Sequence, residues 1–397
     1  MLITAGRILT APGEYLTDGA VLVSGDTIAA VGPRVEVEAR ASAGEPRLAF
    51  PEGTVVPGLI DAHVHLCFDG SADPVAGLAA RENGELLEDM KDRARQLLAS
   101  GVTTVRDLGD RDGLALALAA RIAEGAEEGP RIVSAGVPVT SRGGHCYFLG
   151  GEVSGAAEIR ALVGRNAAAG AKVIKVMETG GGLTKDGAKK SWEAQFSREE
   201  LAVLVAEAHA AGLPVAAHAH GTEGIAAAVG AGVDTLEHCT WMAPGRGFDL
   251  REDVLAEIVA KGVHVCPTVS EHWPMLPKVF GEEWFAEMGR IVRAMADAGA
   301  RIVLGTDAGV QRTGFGGLPA SMKFYAHLGL DPARILEMAT GEAARALGLE
   351  GVTGRIAEGH GADLLVVSGD PLQDLDALRN VTAVIAAGRQ YGATTGN

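Results

Sequence analysis

The chain has 397 residues, 47% of them hydrophobic and 22% charged, which excludes a disordered or fibrous protein. Thirty-five lysines and arginines against 51 aspartates and glutamates give a net charge of −16, so we expect no nucleic-acid partner. No apolar run is long enough to cross a bilayer, no secretory signal is visible and the four cysteines form no disulfide framework, so we expect a cytoplasmic protein without a membrane partner.

Both ends of the chain have the pattern of short β-strands. Near the amino terminus, apolar runs flank the turn signal Ser24-Gly-Asp, and two similar runs, 362–368 and 381–388, lie near the carboxyl terminus. Neither end has enough apolar residues to form a core alone. We therefore predict a small composite β-sandwich domain built from residues 1–57 and 351–397.

Residues 58–350 alternate between short apolar runs and helical patterns, which is typical of α/β proteins with a parallel sheet. In one such helix we expect Ser197 as N-cap, a capping box with Glu200 and an end at Gly212. Eight apolar runs over about 290 residues predict a (β/α)8 TIM barrel over residues 58–350. A doubly wound sheet is disfavoured because no glycine fingerprint follows the first run.

Polar side chains that an apolar core would not accommodate occur where these runs end. On the first run, His63 and His65 are spaced by two, so both imidazoles face one side of the strand and could bind one metal ion. The later runs add Lys175, His218, His220, His238 and Asp307. Because the active sites of barrels lie at the carboxyl ends of the strands, we expect these groups to converge. Lys175 could instead pair with a carboxylate.

This set of residues resembles the amidohydrolase superfamily in its binuclear form with a carboxylated lysine. Within it, the chain is similar to the imidazolonepropionase-related branch that includes Xaa-Pro dipeptidases, arginine and lysine carboxypeptidases and ochratoxin hydrolases. The segments that carry this narrower resemblance are Thr103–Gly109, Gly143–His145, Ile174–Met177, His218–Gly221 and Leu236–His238.

The resemblance implies two divalent metal ions and a role for each ligand. The implied ligands are His63, His65 and Asp307 for the first ion and His218 and His238 for the second, with Lys175 as a bridging carbamate. Zinc is the expected metal because the ligands are rich in imidazole, although manganese, cobalt or iron would suit them too. A metal-bridging hydroxide would attack the substrate, and Asp307 would pass its proton to the leaving nitrogen.

We expect the substrate to be held by loops around this centre. The resemblance implies that His145, in the loop after the third run, takes part in catalysis by holding a carboxylate or carbonyl of the substrate; alternatively it anchors the loop. Further predicted substrate contacts are His220, Arg142, Tyr147 and Arg312. The two arginines could clamp a carboxylate bidentately, or they could be solvated.

Four other features are expected near the site. Asp61 is predicted to orient an imidazole of the first run, and Arg106 and Asp107 to support the ligands from behind. Glu178 could face a basic group of the substrate. Three tryptophans are predicted to lie on loops at the mouth of the barrel, where they suggest an apolar or aromatic substrate group: Trp192, Trp241 and Trp273.

The leading hypothesis is binuclear metal-dependent hydrolysis of an amide bond, in a dipeptide or an N-acyl amino acid with a free carboxylate. An alternative is hydrolysis of a cyclic amide or imidazolone, or deamination of a ring, although Lys175 disfavours deamination because deaminating relatives lack it. A non-catalytic scaffold would have lost ligands, and none is missing. The expected partner is a small molecule, and the composite β-domain could support a homo-oligomer.

Overall fold

A computed structural model describes residues 1–391. The strands are β1 (Leu2–Ala11), β2 (Glu14–Ser24), β3 (Thr27–Pro33), β4 (Arg47–Pro57), β5 (Leu59–Val64), β6 (Val102–Asp107), β7 (Arg131–Ser134), β8 (Thr140–Ser141), β9 (Glu152–Val153), β10 (Ile174–Met177), β11 (Val215–Gly221), β12 (Thr235–Ala243), β13 (Gly247–Phe248), β14 (His264–Cys266), β15 (Arg301–Ile302), β16 (Leu364–Ser368), β17 (Val381–Ala386) and β18 (Arg389–Tyr391).

The α-helices within the same residues are α1 (Arg34–Glu38), α2 (Pro74–Ala79), α3 (Asn83–Ala99), α4 (Leu114–Ala123), α5 (Gly155–Ala168), α6 (Arg198–Ala210), α7 (Thr222–Ala231), α8 (Glu252–Lys261), α9 (Leu276–Phe280), α10 (Glu282–Asp297), α11 (Leu318–His327), α12 (Pro332–Met338) and α13 (Gly341–Ala346). No helix in this part of the chain is both long and apolar enough to cross a membrane.

The eight predicted apolar runs all contain parallel strands. β5, β6 and β7 form one sheet, and β10, β11, β12, β14 and β15 follow one another in a second sheet, in which β13 pairs with β12. Backbone hydrogen bonds join the two sheets at both edges, from the N–H of His65 to the carbonyl of Ala308 and from the N–H of Met177 to the carbonyl of Val139, each 2.8 Å long. The predicted α/β class is confirmed.

Helix α6 shows how local sequence determines where these helices begin and end. The Ser197 hydroxyl accepts a hydrogen bond from the N–H of Glu200 (3.2 Å), and the Glu200 carboxylate accepts one from the N–H of Ser197 (3.0 Å). Gly212 follows the helix with φ of +73°, a conformation that glycine adopts without strain. The predicted capping box is therefore confirmed.

The two chain ends share a seven-stranded sheet, in the order β18-β17-β16-β4-β1-β2-β3. Strand β4 joins them, because it pairs in parallel with β1 and antiparallel with β16. The N–H of Ile28 also donates to the carbonyl of His360 (2.8 Å), so β3 contacts the segment that leads into β16. All seven strands belong to one hydrogen-bonded sheet, whereas we predicted a sandwich of two; β4 bonds to both chain ends and makes the sheet continuous. The domain boundaries stay a prediction, and residues 392–397 lie outside the described residues.

Candidate active site

A cavity of about 170 Å³ lies at the carboxyl ends of the parallel strands. Its polar wall contains His63, His65, His145, Lys175, His218, His220, His238 and Asp307. Its apolar wall contains Phe68, Cys146, Met177, Leu183 and Val310. All six predicted metal ligands therefore line one cavity.

The first group of candidate metal ligands is formed by His63, His65 and Asp307. The Nε2 atoms of the two imidazoles are 3.3 Å apart, and Asp307 Oδ1 lies 3.4 and 3.5 Å from them. The opposite ring nitrogens are occupied, because His63 Nδ1 donates to the Glu237 carboxylate (2.8 Å) and His65 Nδ1 donates to the carbonyl of Gly109 (3.0 Å). Both Nε2 atoms therefore present lone pairs to a carboxylate oxygen, an arrangement that a cation would stabilise.

The second ligand group is formed by three imidazoles whose nitrogens lie within 4.8 Å of one another: His218, His220 and His238. His218 Nε2 donates to the carbonyl of Gly180 (3.2 Å), which leaves its Nδ1 as the free acceptor. The hydroxyl of Thr240 donates to the carbonyl of His220 (3.3 Å) and so accepts from His220 Nδ1 (2.9 Å). This leaves the Nε2 lone pair of His220 free.

Lys175 lines the same cavity on β10. Its side chain is only 1% exposed, and within residues 1–391 its Nζ atom has no hydrogen-bond or ion-pair partner. The alternative in which Lys175 pairs with a carboxylate is therefore wrong. Asp307 Oδ1 is also buried without a hydrogen bond in this part of the chain. Burial lowers the pKa of Lys175 and raises the pKa of Asp307 to about 6, since each charged form loses its hydration.

The imidazoles are neutral at neutral pH in this environment. Burial lowers the pKa of His65 and His220 to about 4 and that of His145 to about 3. The pKa values of His63, His218 and His238 are lowered for the same reason. Neutral imidazole is the form that binds a metal ion, so the group is prepared for ligation without losing protons.

Glu237 supports the ligands from behind, and the sequence analysis missed it. Its carboxylate is fully buried and bonds to His63 Nδ1, to Arg106 Nη2 (2.7 Å) and to the Thr235 hydroxyl (2.8 Å). The predicted supporting role of Arg106 thus acts through this carboxylate. The available signal was an acidic residue directly before His238 in an apolar strand.

Backbone strain explains how neighbouring residues both reach the site. Side chains alternate along a strand, so Glu237 and His238 would ordinarily point to opposite faces. His238 has φ of +67°, which turns its imidazole back into the cavity. Asp307 has φ of +59° at the corresponding end of the last barrel segment. Such conformations cost energy in non-glycine residues and concentrate at functional sites.

Comparison with known proteins places this site in a family. Residues 54–391 match the model of the amidohydrolase family. The chain belongs to the amidohydrolase family. It is 29% identical to ochratoxinase from Aspergillus niger (96% of this chain, 84% of that protein) and 26% identical to imidazolonepropionase from Symbiobacterium thermophilum (93% and 90%). The solved structure of a Xaa-Pro dipeptidase with bound methionine superposes with a TM-score of 0.86 at 28% identity, covering 99% of both chains. The protein is thus a hydrolase with a TIM-barrel-type fold.

Two of the five predicted substrate contacts of the amidohydrolase line its cavity. The ring of His145 stacks on His218, with centroids 4.4 Å apart and planes 23° apart, and its Nδ1 is buried without a partner in residues 1–391. His220 stacks in a similar way on His238, at 4.3 Å. Gly181 leaves room for the His145 ring, because a Cβ atom there would lie 2.4 Å from it.

The other three predicted contacts lie outside the cavity. Arg142 is 59% exposed and pairs with Glu158 at 2.7 Å. Tyr147 packs edge-on against Phe148, and Arg312 is on the surface with φ of +61°. The amidohydrolase sequence places these residues on loops near the mouth, but the direction of each side chain depends on local contacts that the pattern does not contain. The described residues offer His145 and His220, and no arginine, for holding a carboxylate in the cavity.

Asp61 forms no hydrogen bond with the imidazole ring of His63 or His65 in the described residues. Its carboxylate accepts hydrogen bonds from the backbone N–H of His63 (3.3 Å) and from the hydroxyl of Thr306 (2.6 Å). Asp61 therefore holds the backbone of His63, and its predicted role in orienting an imidazole of the first run stays a prediction. The Asp107 carboxylate accepts from the N–H groups of Leu66 and Gly109, and so holds the loop that follows β5.

The three tryptophans and Glu178, which were predicted to face the substrate, lie outside the lining of the cavity. None of the three tryptophans lines the cavity; Trp241 is fully buried, with its indole N–H toward the sulfur of Met295 (3.4 Å). Trp273 stacks on Phe285. Glu178 is buried outside the cavity lining, and burial raises its pKa to about 9. Among the described residues, Asp307 is therefore the one acidic side chain that lines the cavity.

Proposed function

We propose that this amidohydrolase uses two divalent metal ions to cleave the amide bond of a dipeptide or an N-acyl amino acid that carries a free carboxylate. One observation carries the proposal: two groups of side chains suited to bind metal ions line one cavity together with a buried lysine that has no hydrogen-bond partner in the described residues. The members are His63, His65 and Asp307, then His218, His220 and His238, and Lys175.

The donor set suits zinc or another divalent transition metal, because it combines imidazole nitrogens with one carboxylate. His63, His65 and Asp307 would hold the first ion, and His218 and His238 the second. When bound, the ions would polarise the scissile carbonyl and lower the pKa of water at the site. His220 lies in the second group as well, and we assign it to the substrate.

We propose that Lys175 carries a carboxyl group in the active enzyme. The neutral amine would form a new N–C bond with carbon dioxide and release one proton, which gives an anionic carbamate with two oxygen atoms. The unpartnered Nζ atom, buried in a cavity that six imidazoles and Asp307 also line, supports this modification. The carbamate would offset part of the positive charge of the two cations, whereas an ammonium would repel them.

The remaining steps use side chains of the cavity. Asp307, whose Oδ1 atom has no hydrogen-bond partner in the described residues, would take a proton from the attacking water and give it to the leaving nitrogen. His145 and His220 would hold the carboxylate or carbonyl of the substrate. The wall formed by Phe68, Met177 and their apolar neighbours suits an uncharged side chain.

Two relatives support this substrate class. One is named a Xaa-Pro dipeptidase, and its structure contains methionine, an amino acid with an apolar side chain. The other, ochratoxinase, matches nearly the whole chain. We also infer that the eight parallel strands close into a complete barrel, which the hydrogen bonds at both sheet edges support, and that residues 1–57 and 351–397 form a small separate domain.

The test is a metal and substrate screen on one preparation. Metal content is measured with and without bicarbonate, and the loaded protein is assayed on dipeptides, N-acyl amino acids, the matching neutral amides and cyclic amides. Two equivalents of metal, bicarbonate-dependent activity and preference for free carboxylates are expected. One equivalent with activity on ring substrates would favour hydrolysis of a cyclic amide, and a protein that binds no metal would overturn the proposal.

A further inference from the structure

Gln195 joins two parts of the site that are far apart in sequence. It precedes helix α6, and its partly buried side chain lies between the loop 141–146 and the end of β10. Its Oε1 accepts a hydrogen bond from the backbone N–H of His145 (2.8 Å), and its Nε2 donates to the carbonyl of Met177. The backbone N–H of Gln195 also donates to the carbonyl of Glu178 (2.6 Å).

These contacts require an amide side chain in one orientation. The N–H of His145 can only donate and the carbonyl of Met177 can only accept, so the oxygen of Gln195 must face the first and its nitrogen the second. Gly144 makes the approach possible, since a Cβ atom there would lie 2.4 Å from Gln195 Oε1. A carboxylate or an apolar side chain of similar size cannot satisfy both partners.

The ring of His145 has no hydrogen bond that would hold it in place. Within residues 1–391 its Nδ1 atom is unpartnered, and its position depends on stacking against His218 and on the backbone at His145. Gln195 is the side chain that bonds this backbone, and it ties it to β10 two residues after Lys175. Loss of this hydrogen bond would therefore move the imidazole of His145 relative to His218.

We propose that Gln195 is a positioning residue that sets the His145 imidazole against His218 and the substrate. It touches no ligand atom itself and acts through the His145 backbone. The kinetic part of this inference rests on the proposed function, in which His145 holds the substrate. The structural part, that Gln195 determines where the ring lies, holds for any substrate.

The test compares Gln195→Met, which keeps the side-chain volume and removes both hydrogen bonds, with Gln195→Ala and His145→Ala. Gln96→Ala on the exposed face of α3 is the matched control. In zinc-loaded protein, we expect Gln195→Met to move the ring resonance of His145 in a histidine-labelled NMR spectrum and to leave that of the surface residue His209 unchanged. The bound zinc should remain at the wild-type level.

Each Gln195 variant should raise KM for a carboxylate-bearing substrate about tenfold and raise KM for the neutral analogue less. Combining a Gln195 variant with His145→Ala should raise KM no further than His145→Ala alone. Wild-type kinetics in Gln195→Met, or an unmoved His145 resonance, would overturn the inference. If no amide is hydrolysed, the proposed function fails, whereas the NMR comparison still decides the role of Gln195.

Discussion

The two ends of the parallel strands differ in whether their buried charged groups have hydrogen-bond partners. At the amino end, His264 bonds to Glu342 (3.1 Å), and Arg345 bonds to the same carboxylate (2.9 Å). The bond with His264 lowers the pKa of Glu342 to about 2. At the carboxyl end, burial raises the pKa of Asp307 to about 6, and neither its Oδ1 nor the Nζ of Lys175 has a hydrogen-bond partner in residues 1–391. Charged groups at the amino end are hydrogen-bonded to one another, whereas polar atoms at the carboxyl end stay available to bind a ligand.

The largest effect is expected from Lys175→Ala. Removing the lysine takes away the bridging group, so activity should fall on the order of 10³-fold or more and metal content should fall below two per chain. Activity assays and elemental analysis check this, with the exposed neighbour Lys172→Ala as control. Full activity with two metals would show that Lys175 is not the bridging group.

Glu237→Gln should weaken metal binding at the carboxyl end of the strands without abolishing it. The amide cannot accept from both His63 and Arg106 as the carboxylate does, so we expect metal affinity to fall about 10- to 100-fold. Competition with a chelator measures the change, and the exposed Glu252→Gln serves as control. An unchanged metal affinity would show that Glu237 does not contribute to metal binding.

Glu342→Gln should lower the stability of the protein without changing metal binding, because Glu342 lies at the amino end of the strands. We expect the free energy of unfolding to fall by about 1–3 kcal/mol at neutral pH, with metal content unchanged. Because the folded protein lowers the pKa of Glu342 from 4.5 to about 2, its stabilising effect is present above pH 4.5 and is lost as the pH falls toward 2. Urea unfolding at several pH values should show the wild type and the variant converging in acid.

Arg142→Ala should have the smallest effect. Its ion pair with Glu158 is exposed, so the free energy of unfolding should change by less than about 0.5 kcal/mol. KM for a carboxylate-bearing substrate should also stay near the wild-type value, since the guanidinium lies outside the cavity. A large rise in KM alone would mean that the loop moves Arg142 over the substrate.

The positions of the strands, and of the polar residues where they end, were predictable because they depend on short-range patterns. Apolar runs identified the eight parallel strands, and the spacing of His63 and His65 placed both on one face. Contacts between distant segments were not predictable in this way. Glu237 escaped notice because regular alternation would turn it away from His238, and only the positive φ of His238 brings both to the site.

The direction of side chains on loops could not be predicted from the sequence either. Trp241 was expected at the mouth, yet it packs inside against Met295, because burying a large indole is more favourable than exposing it. Gln195 is an ordinary polar residue in the sequence, and its importance comes entirely from two partners, His145 and Met177, that are 50 and 18 positions away.

The pairing of β4 with β16 has a consequence for biosynthesis. Residues 54–57 bond to residues 364–367, which leave the ribosome roughly 15 to 60 s later at ordinary rates of translation. Until then one edge of β4 lacks its native neighbour, and an open edge can recruit strands from other nascent chains. Yield of native protein should thus depend on chaperones that shield this edge while the intervening segments are being made.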